Sequence, residues 1–385
     1  MKVLFVWHAA VEPEYRKLFV ELSKEINELM VIAPKSWTEG GRLQFLRINN
    51  FDSDYKLIPL SVILRDKCRG HFYPNFFKIT YIAKTFKPDI LHLFEEPFSF
   101  VDTEFISIFK IFSPNTKVIV ESFENISVPQ RYLFRYILKF NLNNTDLLIN
   151  IPKEGEAIWK SRGFKGFIKK GNVGVDTKKF FKNDIPFNLK NYGFLNNREK
   201  IRIGYVGRIT PEKGLNILIE AFLRLINEEF NLELLIVGNG NELYINKLKN
   251  RANDLILENK VFFIESVNSD YLSLLYSNID ILVLPSLTTT RWKEQFGRVL
   301  IEAMACETAV IGSSSGEIPG VIGDAGIVFK EGDVNDLFLK LKELILNSDL
   351  RKEFAKKGKK RVDKLYSWEA VSKQLKECYL EIQKQ

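Results

Sequence analysis

Cysteine is scarce in this chain. Cys68, Cys306 and Cys378 are the three in 385 residues. They are odd in number and scattered, so they form neither a disulfide framework nor a zinc pattern, and a reducing cytoplasm is the expected setting. Histidine is as rare, and His8, His71 and His92 stand too far apart in sequence to argue for a metal. No run of eighteen apolar residues occurs. The first strand-like stretch, 2–7, is too short and too soon polar for a signal peptide. Repeats and low-complexity tracts are absent. So are helix-turn-helix, zinc-finger and RNP patterns, which argues against a nucleic-acid partner.

What is present is a length comfortable for two domains and a composition, 45% apolar and 27% charged, that can bury two cores. The charge is uneven. Residues 1–182 hold 28 Lys+Arg against 20 Asp+Glu, whereas the remainder holds 28 of each, so the whole excess of +8 lies in the first half. Such a half is suited to an anionic partner, a lipid surface or a phosphorylated substrate, although accumulated surface lysine explains it equally well. Two mixed cationic and aromatic runs, 65–73 and 130–136, could rest against a lipid headgroup layer or be an ordinary loop and amphipathic helix.

Strand-like and helix-like segments alternate throughout. Strands are expected at 2–7, 29–33, 55–59, 90–94, 117–121 and 146–149, with helices such as 14–28, 74–86 and 129–140 between them. An Asn-, Lys- and Pro-rich stretch, 181–200, interrupts the pattern. Alternation then restarts with strands at 201–206, 232–237, 260–264, 279–284, 310–312 and 326–329. Alternation of this kind predicts an α/β chain with two doubly wound halves facing a central cleft. The expected domains are 1–182 and 201–367 with 183–200 as linker, and a last helix, about 368–385, long enough to cross back onto the first half.

Candidate chemistry gathers where strands end. The segment V-G-R-I-T-P-E-K-G at 206–214 leaves a strand and enters a helix. Gly207 permits close backbone approach there, and Arg208 and Lys213 could converge on one anion, or simply be solvated cations on a capped turn. Gly238-Asn239-Gly240 is half of a dinucleotide fingerprint and weak alone. Glu294 and Glu302 lie eight positions apart around Phe296-Gly297. One carboxylate on the loop and one on a helix starting near Phe296 would lie on roughly the same side, with Glu302 on the outer side of an apolar stripe. Together they would frame a polar ligand whose anionic part sits at the helix N-terminus. In the first half, His92, Glu95 and Glu96 stand at or past a strand end, as do Glu121 and Glu124. His92 reads as either a cleft residue or a satisfied core histidine. Asp52-Ser53-Asp54 invites a metal reading but does not end an apolar strand.

These motifs in this order resemble the retaining glycosyltransferases of the GT-B fold, specifically family 4. Beside 206–214, the likeness rests on E-Q-F-G-R-V-L-I-E-A-M-A at 294–305, S-G-E-I-P at 315–319 and N-V-G-V-D at 172–176. The resemblance implies a GT-B architecture of two Rossmann-like domains. It also implies a metal-independent hexosyltransferase without cofactor, moving sugar from a UDP- or GDP-linked donor to a saccharide or lipid-linked acceptor in polysaccharide biosynthesis. A non-catalytic nucleotide-sugar-binding subunit or scaffold is the alternative. Arg208 and Lys213 would hold the donor diphosphate, and Glu294 the sugar hydroxyls. Backbone around Gly207, Phe296, Gly297 and Val299 would meet sugar and phosphates. Glu302 would bind the ribose, with the base near Asn239 and Gly240. Relatives often carry a histidine where this chain reads Ser122-Phe123-Glu124-Asn125, which leaves Glu124, Glu95 or His92 for the acceptor side. The implied place of work is the cytoplasm, with peripheral contact at the inner membrane face through the basic half.

Overall fold

A computed structural model describes residues 1–39, 41–185 and 200–384. The chain forms two compact units, Met1–Gly174 together with Trp368–Gln385, and Val175–Ser367. The division falls at Gly174, ahead of the boundary expected at residue 182. The reason lies in the bonding of the intervening residues. Val175 N–H donates to Tyr366 O at 2.7 Å, Lys179 Nζ reaches Ser269 Oγ at 3.1 Å, and Phe181 N–H donates to Ser273 Oγ at 3.3 Å. Of the expected linker, 186–199 lies outside the described residues.

The first unit contains β1 (Lys2–Val6), β2 (Glu28–Pro34), β3 (Ser36–Glu39), β4 (Arg42–Phe45), β5 (Lys56–Leu60), β6 (Ile90–Leu93), β7 (Lys117–Ser122), β8 (Leu147–Asn150) and β9 (Phe167–Lys170). Seven of these form one parallel sheet in the order β5-β2-β1-β6-β7-β8-β9, and β3-β4 is a separate antiparallel hairpin. Successive residues of β1 point to opposite faces. Val3 and Phe5 join a core with Phe19, Leu22, Leu375 and Tyr379, while Leu4 and Val6 join Ile79, Phe105 and Phe109. Both faces are therefore covered, which is why the strands read as continuous apolar runs.

The last helix, Trp368–Gln383, belongs to this first unit and packs beside the helix Pro13–Glu25. Its buried residues Trp368, Val371, Leu375, Tyr379 and Ile382 recur every three or four positions, the stripe of a helix with one apolar face. Tyr379 reaches through the core to His92, with its hydroxyl 2.6 Å from Nδ1.

The second unit contains β10 (Ile201–Val206), β11 (Leu232–Val237), β12 (Val261–Ile264), β13 (Ile281–Leu284), β14 (Ala309–Ser313) and β15 (Ile327–Phe329). They form one parallel sheet in the order β12-β11-β10-β13-β14-β15. Helix Leu215–Asn227 packs against helix Val334–Leu346 beside it. Strand order reverses between β1 and β6 in the first sheet and between β10 and β13 in the second. In doubly wound sheets such reversals open a crevice beyond the strand carboxyl ends, where ligands bind.

Candidate functional site

At the second reversal, the turns closing β10 and β11 pack on each other. Ile209 N–H donates to Asn239 O at 2.8 Å and Gly207 N–H to Val237 O at 3.0 Å. A Cβ on Gly238 would fall 1.8 Å from Gly207 O, so only glycine lets the two loops touch. Asn239 also exchanges bonds with the loop after β12. Its Nδ2 donates to Ser266 Oγ at 2.8 Å, and Ser266 N–H returns to Oδ1 at 3.2 Å. The 206–214 segment is tied in turn to the loop after β13, where Leu287 N–H donates to Glu212 O at 2.8 Å.

Lys213 and Glu294 meet at this junction, with Nζ 2.6 Å from Oε2. Ser286 Oγ donates to the same carboxylate oxygen at 2.8 Å, and the Trp292 ring lies 4.7 Å from Nζ. The Glu294 backbone is held too, since Glu317 N–H from the 315–319 loop donates to its carbonyl at 3.1 Å. Arg208 is exposed, and its side chain makes no hydrogen bond or ion pair among the described residues. Its carbonyl accepts the Tyr205 hydroxyl at 2.5 Å, which fixes the backbone beneath a free guanidinium. The site thus pairs one cation with a carboxylate and holds a second in solvent beside it.

Glu302 departs from expectation. The helix runs Arg298–Ala305, with Gly297 at its N-cap in the left-handed region, φ +86°, so it cannot extend back to Phe296. Glu294 lies in the loop before the helix, as expected, but the eight-residue spacing is not a helical one. Glu302 points inward, not outward. Tyr276 O–H donates to its Oε2 at 2.8 Å and Arg298 Nε to its Oε1 at 3.1 Å. Phe296 is buried, edge-on to Tyr366, and Val299 is half-buried. No side chain caps the helix, so its start is open to an anion.

The family model of glycosyl transferases group 1 matches residues 192–361, the span that holds this whole constellation. That span, most of the second unit, carries the sequence pattern of the glycosyl transferases group 1. A capsular polysaccharide biosynthesis glycosyltransferase of Staphylococcus aureus is 31% identical over 210 residues, 54% of this chain and 52% of that protein. A glycosyltransferase of Methanocaldococcus jannaschii is 30% identical over 249 residues, 59% of this chain and 66% of that one. The chain thus spans between about half and two thirds of these relatives' lengths. Among solved structures, the HepE protein of Anabaena in complex with UDP superposes with a TM-score of 0.72. That match covers 99% of this chain and 100% of that chain at 17% identity. Sucrose-phosphate synthase of Thermosynechococcus elongatus gives 0.70, covering 99% of each chain at 18% identity. These neighbours establish the GT-B fold of two Rossmann-like domains.

In the first unit the candidates separate. His92 is not a strand-end residue but a core one, fully buried within β6. Its Nδ1 meets Tyr379 and its Nε2 stands 3.0 Å from Glu121 Oε1, out of line for a hydrogen bond. Glu124 is taken up by Arg162, whose two terminal nitrogens lie 2.6 and 2.7 Å from its oxygens. Such a fork fixes the carboxylate and neutralises it, which leaves little for a base to do. Among the described residues Asp52 belongs to no metal-like cluster. It pairs with Arg16 at 2.9 and 3.1 Å and accepts the Tyr55 hydroxyl, and these bonds with burial opposing them set its carboxyl below the usual range.

Glu95 sits as expected, past the end of β6, and it has company that the sequence did not announce. The His8 ring Nδ1 lies 2.5 Å from Glu95 Oε2, and His8 N–H donates to Oε1 at 2.7 Å. His71 Nε2 stands 3.7 Å from the same Oε2. The histidines are therefore not scattered, since two of the three converge on one carboxylate. Burial disfavours charge on His8, but Glu95 and Cys68 outweigh it and hold its pKa at about 10. Burial pushes His71 down and neighbouring Glu96 up to about 7. In the second unit the chain's motifs did not name Ser286 or Tyr276. Arg298, four residues before Glu302, was legible from helix spacing alone.

Proposed function

We propose that this chain is a retaining glycosyltransferase of family 4 that moves a hexosyl group from a UDP- or GDP-linked donor to a glycan or lipid-linked acceptor in polysaccharide biosynthesis. The Lys213–Glu294 pair beside the open Arg208 carries the reading. Two cations and an uncapped helix start suit the negative charge that develops on a departing nucleoside diphosphate, with no metal needed there. When donor enters, Lys213 turns from Glu294 to the diphosphate, and the released carboxylate accepts bonds from sugar hydroxyls. Glu302, oriented by Tyr276 and Arg298, keeps lone pairs for the ribose, and the base lies along Asn239 and Gly240. The reaction breaks the anomeric carbon–oxygen bond on the face that the acceptor attacks, and the leaving phosphate takes the acceptor's proton. The Anabaena neighbour, which binds UDP and UDP-glucose, supports a nucleotide-sugar donor. The Staphylococcus relative supports a polysaccharide product.

The acceptor is assigned to the basic first unit. Its helix Tyr132–Asn143 exposes Tyr132, Leu133 and Tyr136 beside Arg131, Arg135 and Lys139, a surface suited to anionic lipid at the cytoplasmic membrane face. No helix among the described residues is long and apolar enough to cross a membrane. Thermal melting with UDP, GDP and ADP tests the donor reading. A nucleotide at about a hundred times its Kd raises the melting temperature by roughly 5 °C or more, and the best binder names the donor base. No shift with any of them sinks the proposal. Vesicles containing anionic lipid test the surface: binding at low salt that fades at high salt supports it, and none at low salt refutes it.

A further inference from the structure

The cluster at the first reversal has a chemistry that the donor reading does not use. Val6 of β1 and Leu93 of β6 are register partners, so His8 and Glu95, each two residues further on, stand side by side past the strand ends. His71 arrives from the segment between β5 and the helix Phe76–Thr85. The ligand-capable atoms of His8, His71 and Glu95 all lie within 4.8 Å of one another. Tetrahedral zinc with nitrogen and oxygen ligands at about 2.0–2.2 Å sets those ligands roughly 3.4 Å apart. The three side chains thus need move by no more than about an ångström to enclose an ion.

The state of His71 is decisive. Its side chain is wholly buried, and its Nε2 has no hydrogen-bond partner. Leaving a buried polar nitrogen unpaired is costly, so its persistence calls for a ligand. Its Nδ1 faces Lys67 O at 3.2 Å, which only an N–H can satisfy. That bond sets the tautomer, so Nε2 turns a lone pair, not a proton, toward Glu95. Metal-bound histidines are oriented by this kind of carbonyl contact. Trp37 closes the site from one side, its ring 4.6 Å from His8 and 4.8 Å from His71. Cys68, three residues before His71, is near enough to His8 to help raise its pKa, and it is exposed to solvent.

We propose that His8, His71 and Glu95 form a zinc site, with Cys68 as a fourth ligand from the exposed side. Two imidazoles, a carboxylate and a thiolate are a borderline-soft set that suits Zn²⁺ or Co²⁺ and not Mg²⁺ or Ca²⁺. Binding displaces the proton that His8 and Glu95 share and the thiol proton, so the metal replaces a hydrogen-bonded contact with coordinate bonds. The bound ion pins the 61–75 segment to the strand ends. The site belongs to the first unit and the donor loops to the second, and its test does not depend on them.

Chelator-stripped protein titrated with Co²⁺ and Zn²⁺ decides the matter. One Co²⁺ per chain is expected, with tetrahedral d–d bands and a thiolate charge-transfer band, displaced by Zn²⁺ and indifferent to Mg²⁺. His71→Ala and the shape-conserving His71→Gln should each weaken binding more than about a hundredfold, with far-UV dichroism and melting confirming the fold. Cys68→Ser should lose the charge-transfer band while keeping the d–d bands. Absence of stoichiometric binding overturns the site. So does binding that survives both His71 variants but not Cys68→Ser, because the metal would then sit on a surface thiol.

Discussion

The two sheets are wound alike, and each sets a cationic side chain against a carboxylate where strand order reverses. His8 meets Glu95 at 2.5 Å in one, and Lys213 meets Glu294 at 2.6 Å in the other. What surrounds the pairs differs. Around Lys213 stand glycine turns, an uncapped helix start and a free arginine, all of which favour an anion. Around Glu95 stand further acids and aromatic rings. Burial raises Asp102 well above the usual carboxyl range and raises Glu96 to about 7. The first unit buries Arg16 against Asp52 and keeps most of its other basic residues at its surface. Its reversal point is acidic, so the charge excess read from the sequence describes a surface and not a site.

The largest effect that sharpens this contrast is on catalysis. Lys213→Ala should lower kcat by about 100- to 1000-fold, while the melting temperature falls far less than loss of a unit would require. An equal loss of both would make Lys213 a structural member, like Arg16. The converse case is Arg16→Ala, which strands the buried Asp52 carboxylate and should cost about 3–5 kcal/mol in urea unfolding. The nucleotide affinity of the folded fraction should not move; if it does, the two units are not independent in this respect.

Next in size, Glu302→Gln should raise the Kd of a nucleoside diphosphate about tenfold and leave that of pyrophosphate unchanged. Equal weakening of both ligands would remove Glu302 from the ribose. The smallest effect concerns pH. Burial raises Glu104 from 4.5 to about 7, so the folded first unit keeps a proton that the unfolded chain has lost. The stabilisation is complete below about 4.5 and disappears as pH rises through about 7. Glu104→Gln should therefore melt higher than the parent at pH 8 and alike at pH 4.5. A gain that persists unchanged at the lower pH would point to packing, not ionisation.

Much of the fold was legible because strands covered on both faces are runs of Val, Ile and Leu, as at Leu232–Val237. The hairpin β3-β4 and the edge strand β9 were not. Phe167–Lys170 is only half-buried and carries two lysines, so no apolar run marks it. At the site, Lys213 and Glu294 were found through their motifs. Ser286 and Tyr276 were missed because they reach the carboxylates from other elements. The spacing of Glu294 and Glu302 misled, since Gly297 turns the chain between them. His8 and Glu95 lie 87 positions apart, a distance across which sequence proximity carries no signal and only sheet register brings partners together.

The return of the helix Trp368–Gln383 to the first unit makes the second an insertion within it. During synthesis the ribosome delivers residues 1–174 long before the helix that covers one face of their sheet. Six large side chains of that helix are buried, Trp368, Val371, Leu375, Cys378, Tyr379 and Ile382. At roughly 1.5–3 kcal/mol each, they rival the ~5–15 kcal/mol that holds a whole domain. The nascent first unit must therefore wait, that apolar face only partly covered by the helix Pro13–Glu25, while the contiguous Val175–Ser367 unit emerges and folds ahead of it. The order of folding then runs opposite to the order of translation.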